Sequence, residues 1–331
     1  MASNANSLPK VVAVTGSGFK ATNILQRLDR NRSIHKVISL YYKTPKLRLS
    51  RTKYIHLDLT EELADAKLAE ILKKEKVDTL IHTAFPITPP RNLSFAHELI
   101  SVGSMYVCNA ASAAKVKKLI LTSTTDVYGP FADNPNYLTE KHPARAFRKN
   151  SFLKDKCDAE NGFLRFARKH PKTIVTILRP CTIMGPTVDS FKTAYYNLPI
   201  IPTVMGYDPL MQFVHEDDLF RSVELAVYQD WPGIYNIVGQ GVLPLSKVIE
   251  LTGKYRIPLS MIGLKAFVQT LWFLDILPAP ASYIDFLKYI CVAAGDKAEQ
   301  EMGFVAKYTT REAFLSFIGA ERLRRVHLVE A

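Results

Sequence analysis

The chain has 331 residues, of which 47% are hydrophobic and 22% are charged, with 15 glycines, 19 prolines and 4 cysteines. This composition is typical of a folded globular protein, and it excludes a disordered chain, a collagen-like repeat and a disulfide scaffold. The 43 Lys and Arg residues against 31 Asp and Glu residues give a net charge of +12. That excess favours anionic partners such as phosphates, nucleotides, nucleic acid or an acidic membrane surface.

Apolar, β-branched runs alternate with helical patterns through the first half of the chain. Strands are predicted at residues 10–15, 36–41, 54–57, 79–83, 118–122 and 173–178. Helices are predicted near residues 21–30, 61–74, 94–114 and 151–170, because apolar residues there recur every three or four positions. This alternation is typical of βαβ units, so we predict an α/β fold with a Rossmann-type, doubly wound parallel sheet.

The pattern changes after Arg179, where prolines divide the chain into short segments. We predict a dinucleotide-binding Rossmann domain over residues 1–180 and a smaller substrate lobe over most of 181–331, with some segments returning to the first domain. The longest apolar stretch, residues 258–277, is interrupted by polar side chains and is predicted to be a buried helix rather than a membrane contact. An apolar site for a lipid-like substrate is the less favoured interpretation of this stretch.

Several classes of location and partner are not expected. Residues 1–10 are polar, without the apolar run of a secretory signal, so the cytoplasm is the predicted location. The cysteines lack the close pairs of a zinc site or a redox dithiol. The HEDD run at 215–218 is interpreted as a helix N-cap rather than a metal cluster, because four adjacent residues cannot all face one ion. We therefore expect no metal, and no nucleic-acid partner either, because the basic residues lack interleaved aromatic residues.

A glycine-rich turn follows the first predicted strand. Residues 16–21 read GSGFKA, which matches the pattern G-x-G-x-x-G/A at the point where a strand leads into a helix. The first glycine allows the tight turn, the second lets the backbone approach a pyrophosphate, and Ala21 keeps the helix close to the strand. The N-terminus of the helix supplies an anion site. The motif predicts a bound dinucleotide rather than a purely structural turn.

The end of the second strand bears on the choice of cofactor. An acidic residue there would bind the ribose 2′-hydroxyl of NAD, but residues 40–45 read LYYKTP and contain no acid. Lys43, Lys46 and Arg48 offer positive charge to a 2′-phosphate instead. This pattern favours NADP over NAD, with a solvated loop as the alternative interpretation of these side chains.

A series of motifs in chain order carries a family resemblance. They are the glycine turn, LDLT at 57–60, HTA at 82–84, LTSTTDVYG at 121–129, LRP at 178–180, GP at 185–186 and FVHEDD at 213–218. Over nearly its whole length the chain resembles the extended short-chain dehydrogenase/reductases of the NAD-dependent epimerase/dehydratase type. The resemblance implies a cofactor site formed by Gly16, Gly18, Phe19, Lys20, Ala21, Lys43, Asp58, Leu59, Thr83, Ala84, Phe85 and Lys156.

The resemblance also implies a catalytic group, in which one residue departs from the family pattern. The family has a Ser or Thr on the fifth strand and a Tyr-x-x-x-Lys pair on the next helix; Thr124 and Lys156 match, whereas Phe152 stands at the tyrosine position. In the family the phenolate acts as general base on a substrate hydroxyl, and the lysine lowers its pKa and holds the nicotinamide ribose. Phenylalanine has no titratable proton, so the family mechanism is predicted to lose about 10²- to 10⁴-fold in rate.

Two functions are compatible with these residues. The first is an NAD(P)-binding oxidoreductase-fold protein whose small-molecule substrate, by resemblance, is a nucleotide sugar or another metabolite with a hydroxyl or ketone. The second is a non-catalytic NADP(H)-binding sensor or scaffold protein. If another base replaces the tyrosine, Asp126 and Tyr128 are the nearest candidates. The resemblance further implies a homodimer, in which the helices at 94–114 and 151–170 pair into a four-helix bundle.

Overall fold

The structure, a computed structural model, describes residues 10–45, 48–83, 85–145 and 150–326. Its strands are β1 (Val11–Thr15), β2 (Lys36–Tyr41), β3 (Thr52–His56), β4 (Thr79–His82), β5 (Lys118–Thr122), β6 (Ile174–Pro180), β7 (Thr182–Met184), β8 (Ile200–Val204), β9 (Leu210–Met211), β10 (Phe213–His215), β11 (Gly233–Ile237), β12 (Leu243–Pro244) and β13 (Tyr255–Leu259). Its helices are α1 (Phe19–Arg30), α2 (Ala64–Lys74), α3 (Leu93–His97), α4 (Gly103–Ala114), α5 (Ser151–Lys169), α6 (Phe191–Asn197), α7 (Glu216–Tyr228), α8 (Leu245–Thr252), α9 (Met261–Phe273), α10 (Asp296–Met302) and α11 (Thr310–Arg325). A π-helical turn joins α3 to α4, and 3₁₀ turns span Thr125–Tyr128 and Ala281–Leu287.

Seven of these strands form one parallel sheet, in the order β11-β6-β5-β4-β1-β2-β3. The direction of winding reverses between β1 and β4, and ligands of doubly wound sheets bind at the carboxyl ends of the strands near this point. The predicted α/β class and Rossmann-type sheet are therefore confirmed.

The seventh strand, β11, is the main difference from the six strands predicted. It is five residues long, follows Pro232 and pairs in parallel with β6. The sequence predicted that some segments of the second half return to the first domain, but short, proline-flanked segments give a weak strand pattern, so it did not identify β11 as a strand of the sheet. Other differences are shifts of element ends, such as β3 beginning at Thr52 and α2 at Ala64.

Apolar clusters cover both faces of the sheet. In β1, Val11 and Ala13 belong to one cluster, with side chains of α2, α4 and α5, whereas Val12 and Val14 belong to the other, with side chains of α1, α7 and α10. Successive side chains of a strand point to opposite faces, so a strand that is buried on both sides is apolar throughout. This double burial explains the continuous apolar runs that predicted the strands.

The remaining segments of the second half form a smaller lobe. Three two-stranded sheets, β7 with β10, β8 with β13 and β9 with β12, give it its framework. A third apolar cluster joins side chains of α6, α8 and α11, with Phe213 and Phe314 stacked at 5.3 Å between ring centres. The lobe lies beyond the carboxyl end of β6, next to the edge of the sheet where a ligand is expected.

The apolar stretch at 258–277 is not the buried helix that the sequence predicted. Of the residues of α9, all of which the structure describes, Leu264 is the one buried side chain, and Ile262 and Phe273 are 84% and 86% exposed. One side of α9 rests on β8 and the second 3₁₀ turn. Hydropathy shows that a helix is apolar, but it does not show whether other segments cover that helix. Within the described residues, no helix is long and apolar enough to cross a bilayer.

A buried ion pair joins β6 to α5. Arg179 donates to the Glu160 carboxylate through Nε at 3.0 Å and Nη2 at 2.5 Å, and neither residue is more than 1% exposed. Ser123, directly after β5, donates to the same carboxylate. Burial opposes the charge of Arg179, but the Glu160 carboxylate outweighs this effect and raises the pKa of Arg179. Arg179 therefore remains charged inside the protein.

Arg179→Met should destabilise the fold strongly, because it leaves the Glu160 carboxylate buried without a cation. We expect the free energy of unfolding in urea to fall by about 3–5 kcal/mol. The control is Lys247→Met, which removes an exposed partner of Glu250 and should cost less than about 1 kcal/mol. Similar losses for the two variants would contradict the structural role of the buried pair.

Candidate functional site

A cleft opens at the carboxyl edge of the sheet, where ligands of doubly wound sheets bind. Its walls come from the start of α1, the loop after β4, the end of β5, α5 and the segment from β6 to α6. The polar side chains that line it are Lys20, Ser123, Thr124, Asp126, Lys156, Thr182, Ser190 and Lys192. The cleft thus brings the predicted glycine turn and the predicted Thr124 and Lys156 to one place.

The glycine turn has a geometry that fits a pyrophosphate. Gly16 has a φ of +111°, which favours glycine, and a Cβ placed on Gly18 would meet no atom within 4 Å. Helix α1 begins at Phe19 with no side-chain cap and no acid in its first turn. Open space above the turn and uncapped N–H groups at a helix N-terminus form an anion site. Ala21 is buried against the sheet, as the motif requires for close packing.

The far end of the turn is joined to the end of β2. Ser17 Oγ accepts from the N–H groups of Tyr42 and Lys43 at 3.1 and 3.2 Å. Lys43 is exposed, with Nζ 5.5 Å from the ring centre of Tyr42. Lys46, the second lysine predicted to face a 2′-phosphate, lies outside the described residues. The structure therefore leaves the NADP preference as a prediction.

The predicted adenine-contacting residues follow β3. Asp58 Oδ1 accepts from the N–H and the hydroxyl of Thr60 at 2.9 and 2.7 Å, so a local turn holds this carboxylate in place. Leu59 is buried in the first apolar cluster. These contacts position Asp58 at the carboxyl edge of the sheet and make Leu59 part of the core.

The loop after β4 carries the remaining predicted cofactor residues. The Thr83 hydroxyl donates to the carbonyl of Thr15 at 2.7 Å, and Phe85 is buried with its ring edge-on to His82. His82 bonds to Thr15 and Ser104, and burial lowers its pKa to about 3, so it is neutral and structural. Ala84 lies outside the described residues.

The three predicted catalytic residues do not all face the cleft. Thr124 and Lys156 line it, whereas Phe152 is buried in the first apolar cluster and is not among the described lining residues. Lys156 Nζ lies 4.3 Å from the centre of the Phe152 ring, a cation–π contact. The Thr124 side chain accepts from the N–H of Asp126 and so begins the first 3₁₀ turn. Phe152 therefore contacts Lys156 from within the apolar core.

Positive charge dominates the cleft. Its described lining residues include three lysines and one carboxylate, Asp126. Lys192 donates to Asp126 at 2.7 Å and to the Thr182 hydroxyl at 3.0 Å. The remaining two lysines, Lys20 and Lys156, are almost fully buried. The uncompensated charge suits an anionic ligand.

Burial changes the protonation of both buried lysines. Burial and then the charge of Lys156 lower the pKa of Lys20 to about 7. Burial also lowers the pKa of Lys156 to about 8, although the Asp126 carboxylate opposes the change. Lys20 Nζ donates to the carbonyl of Thr122 at 3.2 Å, at the end of β5. Both ammonium groups are thus costly to keep charged until an anion joins them.

Comparison with known proteins identifies the family of this chain. Residues 12–237 match the family model described as NAD dependent epimerase/dehydratase family. An uncharacterized protein of Mycobacterium tuberculosis is 30% identical over 321 residues, which cover 92% of this chain and 82% of that protein. The chain belongs to the NAD-dependent epimerase/dehydratase family. An uncharacterized protein of Mycobacterium bovis matches with the same identity and coverage.

Solved structures share the fold of this family member at low sequence identity. MoeE5 in complex with UDP-glucuronic acid and NAD has a TM-score of 0.72 and 19% identity, over 95% of this chain and 99% of that chain. DesIV, a dTDP-glucose 4,6-dehydratase from Streptomyces venezuelae with NAD and TYD bound, has a TM-score of 0.71 and 19% identity, over 96% and 98%. WbmG of Bordetella bronchiseptica in complex with NAD and UDP has a TM-score of 0.71 and 16% identity, over 98% and 97%. These structures confirm the fold, and the family match confirms the predicted resemblance to the NAD-dependent epimerase/dehydratase family.

The two replacement bases named from the sequence occupy different environments in this family member. Asp126 lines the cleft. Tyr128 is buried, with its hydroxyl donating to Asn236 Oδ1 at 2.8 Å and its ring 4.7 Å from the Arg179 guanidinium. Burial raises the pKa of Tyr128, which is the wrong direction for a base. Asp126 is therefore the candidate that can meet a substrate.

Sequence reasoning missed Lys192. This residue lies on α6 in the proline-rich half, 66 positions after the Asp126 that it contacts. No periodicity or motif joins two residues at that separation, so only the folded chain brings them together. The spacing of serine and threonine around α6, where Ser190 and Thr193 form a capping box, predicts the helix but not what it faces.

The HEDD run is confirmed as a helix N-cap. His215 accepts from the N–H of Asp217, and α7 begins at the next residue, Glu216. The carboxylate of Asp218 accepts from the N–H groups of Lys307 and Tyr308. Over the residues that the structure describes, no group of three His, Cys, Asp or Glu side chains is placed to hold a metal ion.

The buried Lys20 predicts a stability that rises with pH. Its pKa is about 7 in the folded chain and near the ordinary 10.5 in the unfolded chain. Between these values the unfolded chain binds more protons, so the folded state gains stability as the pH increases. Relative to Lys20→Met, the wild-type free energy of unfolding should increase by about 2–4 kcal/mol from about pH 7 to about pH 10.

Chemical denaturation at several pH values measures this difference. The exposed Lys247→Met variant is the matched control and should follow the wild-type pH dependence. A constant difference between wild type and Lys20→Met would show that Lys20 keeps an ordinary pKa in the folded chain.

Proposed function

We propose that the protein is an NAD(P)-binding oxidoreductase that acts on a nucleotide sugar, or on another metabolite with a hydroxyl or ketone, within this cleft. The observation that carries the proposal is that an open glycine turn and the Thr124–Lys156 pair face the same cleft. Family membership supports it, as do the NAD and the uridine nucleotides bound to MoeE5 and WbmG. NAD(H) is the cofactor class proposed, and a preference for NADP at Lys43 stays a prediction.

The residues of the cleft divide the tasks of binding. The turn from Gly16 to Gly18 and the first N–H groups of α1 would hold the pyrophosphate, and Lys156 would hold the ribose next to the reacting ring. A nicotinamide cofactor, when bound, supplies a hydride acceptor or donor. Lys20 and Lys156 carry positive charge towards the phosphates, and they are the groups whose protonation a bound anion would favour.

Proton transfer is assigned to Asp126 in this proposal. Phe152 has no proton to exchange, and Asp126 is the one carboxylate among the described residues that line the cleft. Thr124 starts the turn that carries Asp126, and its hydroxyl would orient the substrate hydroxyl. Lys192 pairs with Asp126 and holds the carboxylate at a fixed place. The base would thus stand on the fifth strand's turn rather than on α5.

Gly18→Val tests the cofactor site. A Cβ at this position would meet no protein atom within 4 Å, so the fold should persist, but the valine side chain would occupy the space proposed for the phosphates. NAD affinity, measured by calorimetry, should fall at least about 100-fold, because several charge-assisted hydrogen bonds are lost. The control is Gly319→Val, where a Cβ also meets no atom, and its affinity should equal that of the wild type. Equal affinity for Gly18→Val would reject the dinucleotide site, and the same titration with NADP measures the cofactor preference.

Asp126→Asn tests the assignment of the base. On a panel of UDP- and dTDP-sugars, kcat should fall by about 10²- to 10⁴-fold while NAD affinity is retained. Tyr128→Phe, which removes a hydroxyl outside the cleft, should leave kcat unchanged.

The second candidate function is a non-catalytic sensor or scaffold, which the phenylalanine at position 152 favours. This candidate would be supported over the oxidoreductase if the wild type, or Phe152→Tyr, bound NAD but showed no turnover. Turnover that survives Asp126→Asn would contradict Asp126 as the base while leaving the oxidoreductase in place.

A homodimer through α4 and α5 also remains a proposal. The two helices contact each other on one face of the sheet, and α4 exposes Met105. A solution mass of one chain in light scattering, independent of concentration, would contradict it.

A further inference from the structure

The smaller lobe exposes a run of large apolar side chains on α9 and the turn after it. Ile262, Phe267, Phe273, Leu274 and Ile276 are all more than half exposed, and they are called the α9 surface below. Monomeric proteins rarely expose contiguous apolar patches unless something binds there. The surface lies apart from the cleft, because none of these five residues is among its described lining.

The exposed side of α9 is held in place by contacts that the helix makes on its opposite side. Ser260 caps its start by accepting from the N–H of Gly263, and Lys265 on its inner side pairs with Asp285 at 2.8 Å. Leu264 is buried beneath the helix with side chains of β8 and the second 3₁₀ turn. At 100° per residue, Ile262 and Phe273 lie on the same outward line, about 16 Å apart along the axis.

The end of the helix is also fixed. Arg91 donates to the carbonyls of Trp272 and Leu277, and its guanidinium lies 4.2 Å from the centre of the Trp272 ring. Pro86 and Ile87, shortly before Arg91, line the cleft. Arg91 therefore joins the end of the α9 surface to the loop at the edge of the cleft.

Basic side chains outnumber acidic ones in the segment that contains this surface. Residues 254–290 contain four basic and two acidic side chains, and both acids are paired, Asp275 with Arg91 and Asp285 with Lys265. Arg256 is exposed and has no acidic partner in the described part of the chain. Lys288 is half-buried, with Nζ 4.8 Å from the ring centres of Tyr207 and Tyr289.

We propose that the α9 surface docks on an anionic lipid bilayer, with Arg256 and Lys288 at the headgroups. Apolar side chains on one side of a helix, with aromatic and basic residues at the edge, are typical of a helix lying in a membrane interface. Each basic residue near an anionic leaflet adds attraction, and the net charge of +12 acts in the same direction. The contact is peripheral, because it uses one side of a 13-residue helix.

A second copy of the chain is a poorer match for the same surface. A two-fold symmetric contact presents the same patch from both sides, so Arg256 and Lys288 would meet the basic residues of the other copy. The patch offers no free carboxylate among its described residues to neutralise them. Lipid phosphates supply that negative charge.

Co-sedimentation of the full chain with vesicles tests the proposal. The two compositions are phosphatidylcholine alone and an equimolar mixture of phosphatidylcholine and phosphatidylglycerol. The wild type should sediment with the anionic vesicles, and Ile262→Glu/Phe273→Glu should lower the partition constant at least about tenfold. The matched control is Leu63→Glu/Val326→Glu, which adds the same charge at exposed apolar residues elsewhere and should lower it much less.

A second variant tests the charge contribution. Arg256→Gln/Lys288→Gln should lower the partition constant for anionic vesicles by about fivefold per residue, with no effect on phosphatidylcholine alone. Thermal unfolding and NAD titration should match the wild type for both double variants, since neither changes the core or the cleft. These readouts separate the docking surface from the cofactor site.

Three results would overturn the proposal. One is a wild type that remains in the supernatant with both kinds of vesicle, and another is an Ile262→Glu/Phe273→Glu variant that sediments like its control. The third is a wild-type dimer in light scattering that this variant converts to a monomer without any vesicle binding by the wild type, which would assign the surface to a second copy of the chain.

Discussion

The buried Glu160–Arg179 ion pair is the constraint on which the cleft depends. Glu160 lies one helical turn after Lys156, and it accepts from Ser123, the residue before Thr124. Moving α5 relative to β5 or β6 would separate two charges that have no access to water, at a cost that buried pairs make large. The pair therefore sets the distance between the end of the fifth strand and the lysine that faces it.

Next to this ion pair, the cleft contains lysine side chains whose charge would be unfavourable in the apolar core. Lys20 follows the glycine turn at the start of α1 and reaches the carbonyl of Thr122. Burial lowers its pKa, as it does for Lys156, so both lysines hold their protons less tightly than exposed lysines do. Groups that are unfavourable without a ligand are expected at functional sites, where local rules of stability are broken for binding. The charge of the cleft and the openness of the turn at Gly18 point to the same kind of ligand.

The apolar faces of the helices are covered to different extents in the two halves of the chain. In the first half, the apolar helix faces pack on the sheet, and α2, α4 and α5 cover one side of the sheet. In the second half, α9 has only a small two-stranded sheet and a 3₁₀ turn beneath it, so its outer side has no cover within the described chain. The fold thus combines a buried apolar core with an exposed apolar surface. The basic residues near that surface favour an anionic partner.

The sequence by itself determined the sheet class, the glycine turn, the HEDD cap and the family motifs. These features depend on residues near each other in the chain: alternation of strands with helices, a glycine required at a positive φ, or a side chain that caps the next turn. Tertiary structure alone decided the rest. It added β11 to the sheet, brought Lys192 to Asp126, turned Phe152 into the core beneath Lys156 and left α9 exposed. In each case the outcome depends on which distant segment lies opposite a residue, and local hydropathy and periodicity carry no information about that neighbour.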